Sequence, residues 1–280
     1  GLPITERSLS LNGAATAVLE GGAGAPLVLL HGPAGYAAAW LRVIPGLVTG
    51  WRVVAPDLPG HGASAAFADA VDVERVMGWL DDLIECTCAA PPVLVGHTLG
   101  GAIAARYASE HSERIAGVVL VDTFGLRPLE PDPGFGAAVQ AFMTTPSEQA
   151  LDRLWSFCAF DVVALRRALG PQWLALTAYS LDRAHTPGLL AAQNRLIELF
   201  GMPAITPDVL ARIAAPTALV WGRHDLATPL SVAAQASARF GWPLHVIEDA
   251  GDEPTIEQPG EFLKVLRSVL GTASRRELAR

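Results

Sequence analysis

The segment Val93-Leu94-Val95-Gly96-His97-Thr98-Leu99-Gly100-Gly101 carries the residues for presenting a nucleophile at a sharp turn. An apolar run leads in, and an Ala- and Gly-rich helical stretch leads out. Gly96 and Gly100 leave room for a tight bend, at whose tip Thr98 projects. A threonine hydroxyl attacks carbon only when a base removes its proton, and its β-branched side chain is stiff. Polar, turn-forming clusters recur at His31-Gly32-Pro33-Ala34-Gly35, at Asp57 to Ser64, at Trp221 to Asp225 and at Gly251 to Pro259. Of the seven histidines, His31, His61, His97, His111, His224 and His245 read as loop-shaping, packing or solvated residues. His185, close to Arg183 and Tyr179, is the one assigned a pocket role. Cys86, Cys88 and Cys158 are an odd, sparse set with no metal-ligand spacing, so they read as structural and no metal is expected.

These residues need elements to position them. Pro26–Leu30, Arg52–Ala55, Val93–Val95, Val118–Val121, Ala218–Trp221 and Leu244–Ile247 are short apolar runs, the pattern of strands buried on both faces. Between them, Val73, Val76, Met77, Leu80, Leu83 and Ile84 fall on one helical face. Leu99–Ala108 and Phe262–Leu270 also read as helices. The alternation predicts an α/β fold with a doubly wound, mostly parallel sheet, its core formed by 1–126 and 213–280. From 127 to 212 no strand signal appears. A loop rich in Pro and Gly leads into helical segments carrying Trp155, Phe157, Trp173, Tyr179 and Phe200. This stretch is expected to be a helical lid over the carboxyl ends of the strands, with Trp155 and Tyr179 as pocket candidates beside Trp40.

Gly96-His97-Thr98-Leu99-Gly100 resembles the nucleophile elbow G-x-S-x-G of the α/β-hydrolase family. His31–Gly35 is similar to that family's oxyanion loop, Asp57–Ser64 to its D-x-x-G-x-G-x-S loop, and Trp221–Asp225 to the segment bearing the triad acid. The four matches run in order along nearly the whole chain, and they imply an α/β-hydrolase fold with a helical lid. The resemblance also makes three departures visible. Thr98 stands at the serine position. Asp252, in Gly251-Asp252-Glu253-Pro254-Thr255-Ile256-Glu257-Gln258-Pro259, stands where the family has its histidine, and a carboxylate is a far weaker base than imidazole at neutral pH. Pro33 stands at an oxyanion-donor position and has no N–H. Leu99 keeps the second donor, and a one-residue shift would let Ala34 supply the first. The resemblance further implies that Asp225 and Asp252 lie close together, so that one carboxyl is held protonated and the pair can move protons near neutrality.

Fifty-one per cent of the 280 residues are hydrophobic, which excludes a disordered chain. A formal charge of −8 argues against nucleic-acid or anionic-membrane surfaces, and no apolar run is long enough to span a bilayer. Gly1-Leu2-Pro3 lacks the features of a signal peptide, and the sparse cysteines point to a cytoplasmic setting. No phosphate-binding glycine motif calls for a nucleotide, so no cofactor is expected. The leading expectation is an unconventional enzyme on a small, largely apolar molecule, working by cyclisation, elimination, isomerisation or decarboxylation without an acyl-enzyme. A GC-rich bacterial specialised pathway would suit it. The alternatives are a catalytically silent, receptor-like binder and a weak hydrolase using Thr98.

Overall fold

The computed structural model describes the backbone of residues 4–277 and the side chains of 4–271. Gly1-Leu2-Pro3, read above for a signal peptide, lies outside the described residues. Eight strands form one sheet: β1 (Ile4–Leu11), β2 (Ala14–Gly21), β3 (Ala25–Leu30), β4 (Trp51–Pro56), β5 (Val93–His97), β6 (Gly117–Val121), β7 (Thr217–Gly222) and β8 (Leu244–Ile247). Their order is β1-β2-β4-β3-β5-β6-β7-β8. β2 pairs antiparallel with both β1 and β4, and every pairing from β4 to β8 is parallel. This is the α/β-hydrolase fold the motifs imply.

The six apolar runs all become strands, and all but β8, three of whose four residues are only partly buried, have buried interiors. Val28, Leu30, Leu94, Leu120 and Leu219 join one core, and Leu27, Leu29, Val95, Val119 and Val220 join the core on the other side. The β1–β2 hairpin was not read from the sequence. β1 is largely exposed and interrupted by Glu6, Arg7, Ser8 and Ser10, and β2, though mostly buried, mixes Ala and Thr with its apolar residues, so a search for continuous apolar runs passes over both. Asn12-Gly13, both with positive φ, was the available turn signal.

Helices α1 (Val73–Thr87) and α2 (Leu99–Glu110) flank the parallel strands. Between β6 and β7 the described residues include no strand. The chain there forms α3 (Pro133–Thr144), α4 (Glu148–Cys158), α5 (Val162–Leu169), α6 (Pro171–Ala184) and α7 (Pro187–Leu196). α8 (Leu230–Phe240), α9 (Pro254–Glu257) and α10 (Pro259–Glu277) complete the fold. No helix is long and apolar enough to cross a membrane among the described residues. Cys86, Cys88 and Cys158 are free thiols.

Candidate functional site at the carboxyl edge of the sheet

Thr98 sits between the last residue of β5 and the first of α2, with φ +45° and ψ −104°. A β-branched residue is strained there, and the surroundings hold it in place. Its N–H donates to the Val121 carbonyl at 2.9 Å. Its own carbonyl accepts from Ala102 N at 3.1 Å, Phe124 N at 3.2 Å and Thr123 Oγ1 at 3.2 Å. Glycine makes the bend possible. A Cβ on Gly96 would lie 2.4 Å from the Gly100 carbonyl oxygen, and one on Gly101 1.8 Å from Thr123 Oγ1.

The Thr98 side chain is only 3% exposed, and its Oγ1 has no hydrogen-bond partner. It faces Gly32, whose absent Cβ would lie 2.4 Å from Oγ1 and 3.1 Å from His97 Nδ1. Gly32-Pro33-Ala34-Gly35 is a turn closed by Gly35 N–H on the Gly32 carbonyl at 3.2 Å, with Ala34 exposed at φ +54°. Pro33 offers no N–H. Leu99, buried at the first position of α2, has an N–H that the helix itself cannot satisfy.

Carboxyl groups collect behind the elbow. Asp225 follows β7, and its Oδ1 accepts from Ala227 N and Thr228 N, each at 2.8 Å. Asp252 follows β8, and its backbone is clamped on two sides. Its N–H donates to the Cys158 carbonyl at 3.0 Å, and its carbonyl accepts from His97 Nε2 at 2.5 Å. Asp122 closes β6 at φ +43°, with Oδ1 accepting from Gly222 N at 2.8 Å. The remaining oxygens, Asp122 Oδ2, Asp225 Oδ2 and Asp252 Oδ1, are buried without partners. No ion pair among the described residues includes Asp122, Asp225, Asp252, Glu253 or Glu257.

Burial, reinforced by these like charges, therefore raises each acid. Asp225 is pushed up to about 8 by burial, against the pull of its N–H donors, and Glu253 to about 8 by burial and then by Glu257. Asp252 and Asp122 rise well above the carboxylate range, burial acting first, then Glu253 on Asp252 and Asp225 on Asp122. The imidazoles move the other way. Burial lowers His97 and His31 to about 4, so both are neutral at pH 7. Neutral His97 then donates from Nε2 to the Asp252 carbonyl, which leaves Nδ1 as an acceptor on the side of Gly32 and Thr98.

The structure gathers Thr98, Leu99, Pro33, Asp225 and Asp252 at this edge. Tyr179 of α6 also reaches the loops around it. Its hydroxyl accepts from Gly62 N at 2.8 Å, donates to the Gly35 carbonyl at 3.3 Å, and its ring lies 4.3 Å from that of Tyr36. Three expectations need correction. Trp40 is a core residue, 1% exposed, its ring packed on Phe262 and edge-on to His97 in the core beneath the elbow. Trp155 packs on Trp173 in a small core of the helical insertion. His185 is exposed at the end of α6, where its Nδ1 engages the Leu181 carbonyl one turn back.

Sequence reading missed Asp122, Glu257 and the bend at Cys158. Asp122 follows Val118–Val121 directly, and a polar residue at the carboxyl end of a buried strand is a usable signal. Glu257 accepts from Gly251 N at 2.8 Å and Phe160 N at 2.7 Å, tying the bend after α4 to the loop of Asp252. No local pattern announces that contact, because its partners are about 100 residues apart.

Comparison with known proteins agrees with the fold. The pattern of the alpha/beta hydrolase family matches residues 27–265. Pimeloyl-[acyl-carrier protein] methyl ester esterase of Chromobacterium violaceum is 29% identical over 258 residues, covering 90% of this chain and 96% of that protein. The magnesium-chelatase 30 kDa subunit of Rhodobacter capsulatus is 32% identical over 234 residues, covering 78% and 76%. The structure of 2-hydroxy-6-oxo-6-phenylhexa-2,4-dienoate hydrolase from Rhodococcus superposes with a TM-score of 0.84 at 23% identity, over 95% of this chain and 98% of that one. With an elbow, an eight-stranded sheet and a family pattern that agree over most of its length, the chain belongs to the alpha/beta hydrolase family.

Proposed function

We propose that the protein is an enzyme of this family with an altered triad, in which Thr98, Asp225 and Asp252 occupy the triad positions, and that it acts on a small molecule by proton transfer without an acyl-enzyme. The observation that carries this reading is the set of buried, unpartnered oxygens on Asp225 and Asp252 behind a Thr98 hydroxyl that has no base bonded to it. An acyl-enzyme needs an imidazole to take the hydroxyl proton and return it to the leaving group. Here position 252 supplies a carboxyl raised well above the carboxylate range by burial, a group that can donate a proton. Proton transfer without an acyl-enzyme fits isomerisation, elimination, cyclisation or decarboxylation. The insertion of residues 127–212 serves as the lid, with Tyr179 tying it to the loops of Gly35 and Gly62. Leu99 N–H is the donor for a developing oxyanion, and Pro33 withholds the other.

The test is acyl chemistry itself. The protein should hydrolyse p-nitrophenyl acetate no faster than an unrelated protein, and a fluorophosphonate probe should leave Thr98 unlabelled by mass spectrometry. Labelling at Thr98 would overturn the proposal in favour of a threonine hydrolase. That second reading draws on the relatives, several of which are named esterases or hydrolases. Its own base would be His97, whose Nδ1 lies on the Thr98 side.

A further inference from the structure

We infer that Asp122 and Asp225 hold one proton between their Oδ2 atoms, and that Asp122 is a positioning residue keeping an acid, rather than two carboxylates, behind Asp252. The assignment goes beyond the functional reading above and does not depend on the reaction. It rests on how each carboxyl is used. Asp122 Oδ1 is occupied by Gly222 N–H, and Asp225 Oδ1 by Ala227 and Thr228 N–H. The two side chains lie within hydrogen-bonding reach of each other, and each presents a buried Oδ2 that no N–H, hydroxyl or cation approaches.

Two ionised oxygens meeting in a dry site repel, and neither has a hydrogen to share. One proton converts the same contact into a charge-assisted O–H···O bond. The groups facing the pair favour that proton. Asp252, Glu253 and Glu257, from the loop after β8 and from α9, are acids themselves and supply no countercharge. Cys158 at the end of α4 remains a thiol, and His97 is neutral. Burial raises both aspartates, so the pair carries a proton to share near neutrality.

Asparagine discriminates this arrangement from simple repulsion. In Asp122→Asn the amide oxygen can keep Gly222 N–H while its NH₂ donates to Asp225 Oδ2, replacing the shared proton permanently. Asp225→Asn does the same in reverse. Each single variant should fold, and melting temperatures followed from pH 6 to 9 should fall less steeply than in the parent. The double variant turns two NH₂ groups toward each other, so it should melt below both singles by several degrees. If the contact were mere repulsion, removing both charges would leave the double variant at least as stable as either single, and that result would overturn the inference. In the parent labelled with carboxyl-¹³C aspartate, the pair should show one proton released near pH 8. Titration of both groups below pH 5 would also overturn it, even if the variants failed to fold.

Discussion

The hydroxyl of Thr98 illustrates how one residue can be held in a costly state. Positive φ on a β-branched residue costs about 1–3 kcal/mol, and four main-chain and side-chain groups around it over-determine that conformation. Thr98→Gly should therefore raise unfolding stability by about 1 kcal/mol in urea titration, a gain that marks the residue as kept for its side chain. No gain would show that the surrounding packing prefers threonine. Asp252→Asn keeps the shape of its side chain but removes titration. Turnover of a true substrate should fall about 100- to 10,000-fold, the range of a general acid or base, while ligand affinity holds in calorimetry.

Among elements, the elbow depends on glycine and the insertion depends on a few polar ties. A methyl group added at Gly101 would overlap Thr123, so Gly101→Ala should lose at least about 1–3 kcal/mol of stability in chemical denaturation. Tyr179→Phe strands the Gly62 N–H beneath α6. The expected loss is about 1–3 kcal/mol, with faster amide exchange confined to residues 58–64. Unchanged exchange there would mean that water replaces the phenol without penalty. In the same way Glu257 links two segments through single N–H contacts, so the bend after α4 is seated on the loop of Asp252 rather than free to swing.

For the whole molecule, buried titratable groups of both signs decide the response to pH. His31, His61 and His97 are held to about 4, 3 and 4 by burial, below the unfolded value near 6.5. The unfolded chain binds more protons at these sites, so their contribution is lost as pH falls from about 6.5 toward 4. The acids act in the opposite sense. Asp225 and Glu253 titrate near 8 when folded and near 4 when unfolded. The folded protein therefore binds more protons between those values, and stability declines as pH rises through that window. The two slopes oppose each other below about 6.5, and above it only the acids titrate. Melting temperature should therefore drop steadily from pH 6.5 to 8.5, and a rising curve over that interval would contradict the burial of the acid cluster.

Six apolar strands, the elbow and the order of the motifs were legible in the sequence because each rests on local chemistry. A run such as Val118–Val121 has only one comfortable environment, and Gly96 with Gly101 permits only one bend. The positions of Thr98, Asp225 and Asp252 followed from that order alone. The hairpin of β1 and β2 was less legible, since β1 is largely exposed and polar and β2 is built on small residues. Tertiary structure decided what the site contains beyond them. Asp122 meets Asp225 from a different strand, His97 reaches the carbonyl of Asp252, and Glu257 reaches Phe160, all across at least 97 residues of chain. It also turned Trp40 into the core and His185 out to solvent. Such pairings depend on which loops meet at the carboxyl edge of the sheet, and burial there converts ordinary aspartates into acids. A residue's identity is local, but its protonation and partners belong to the packed fold.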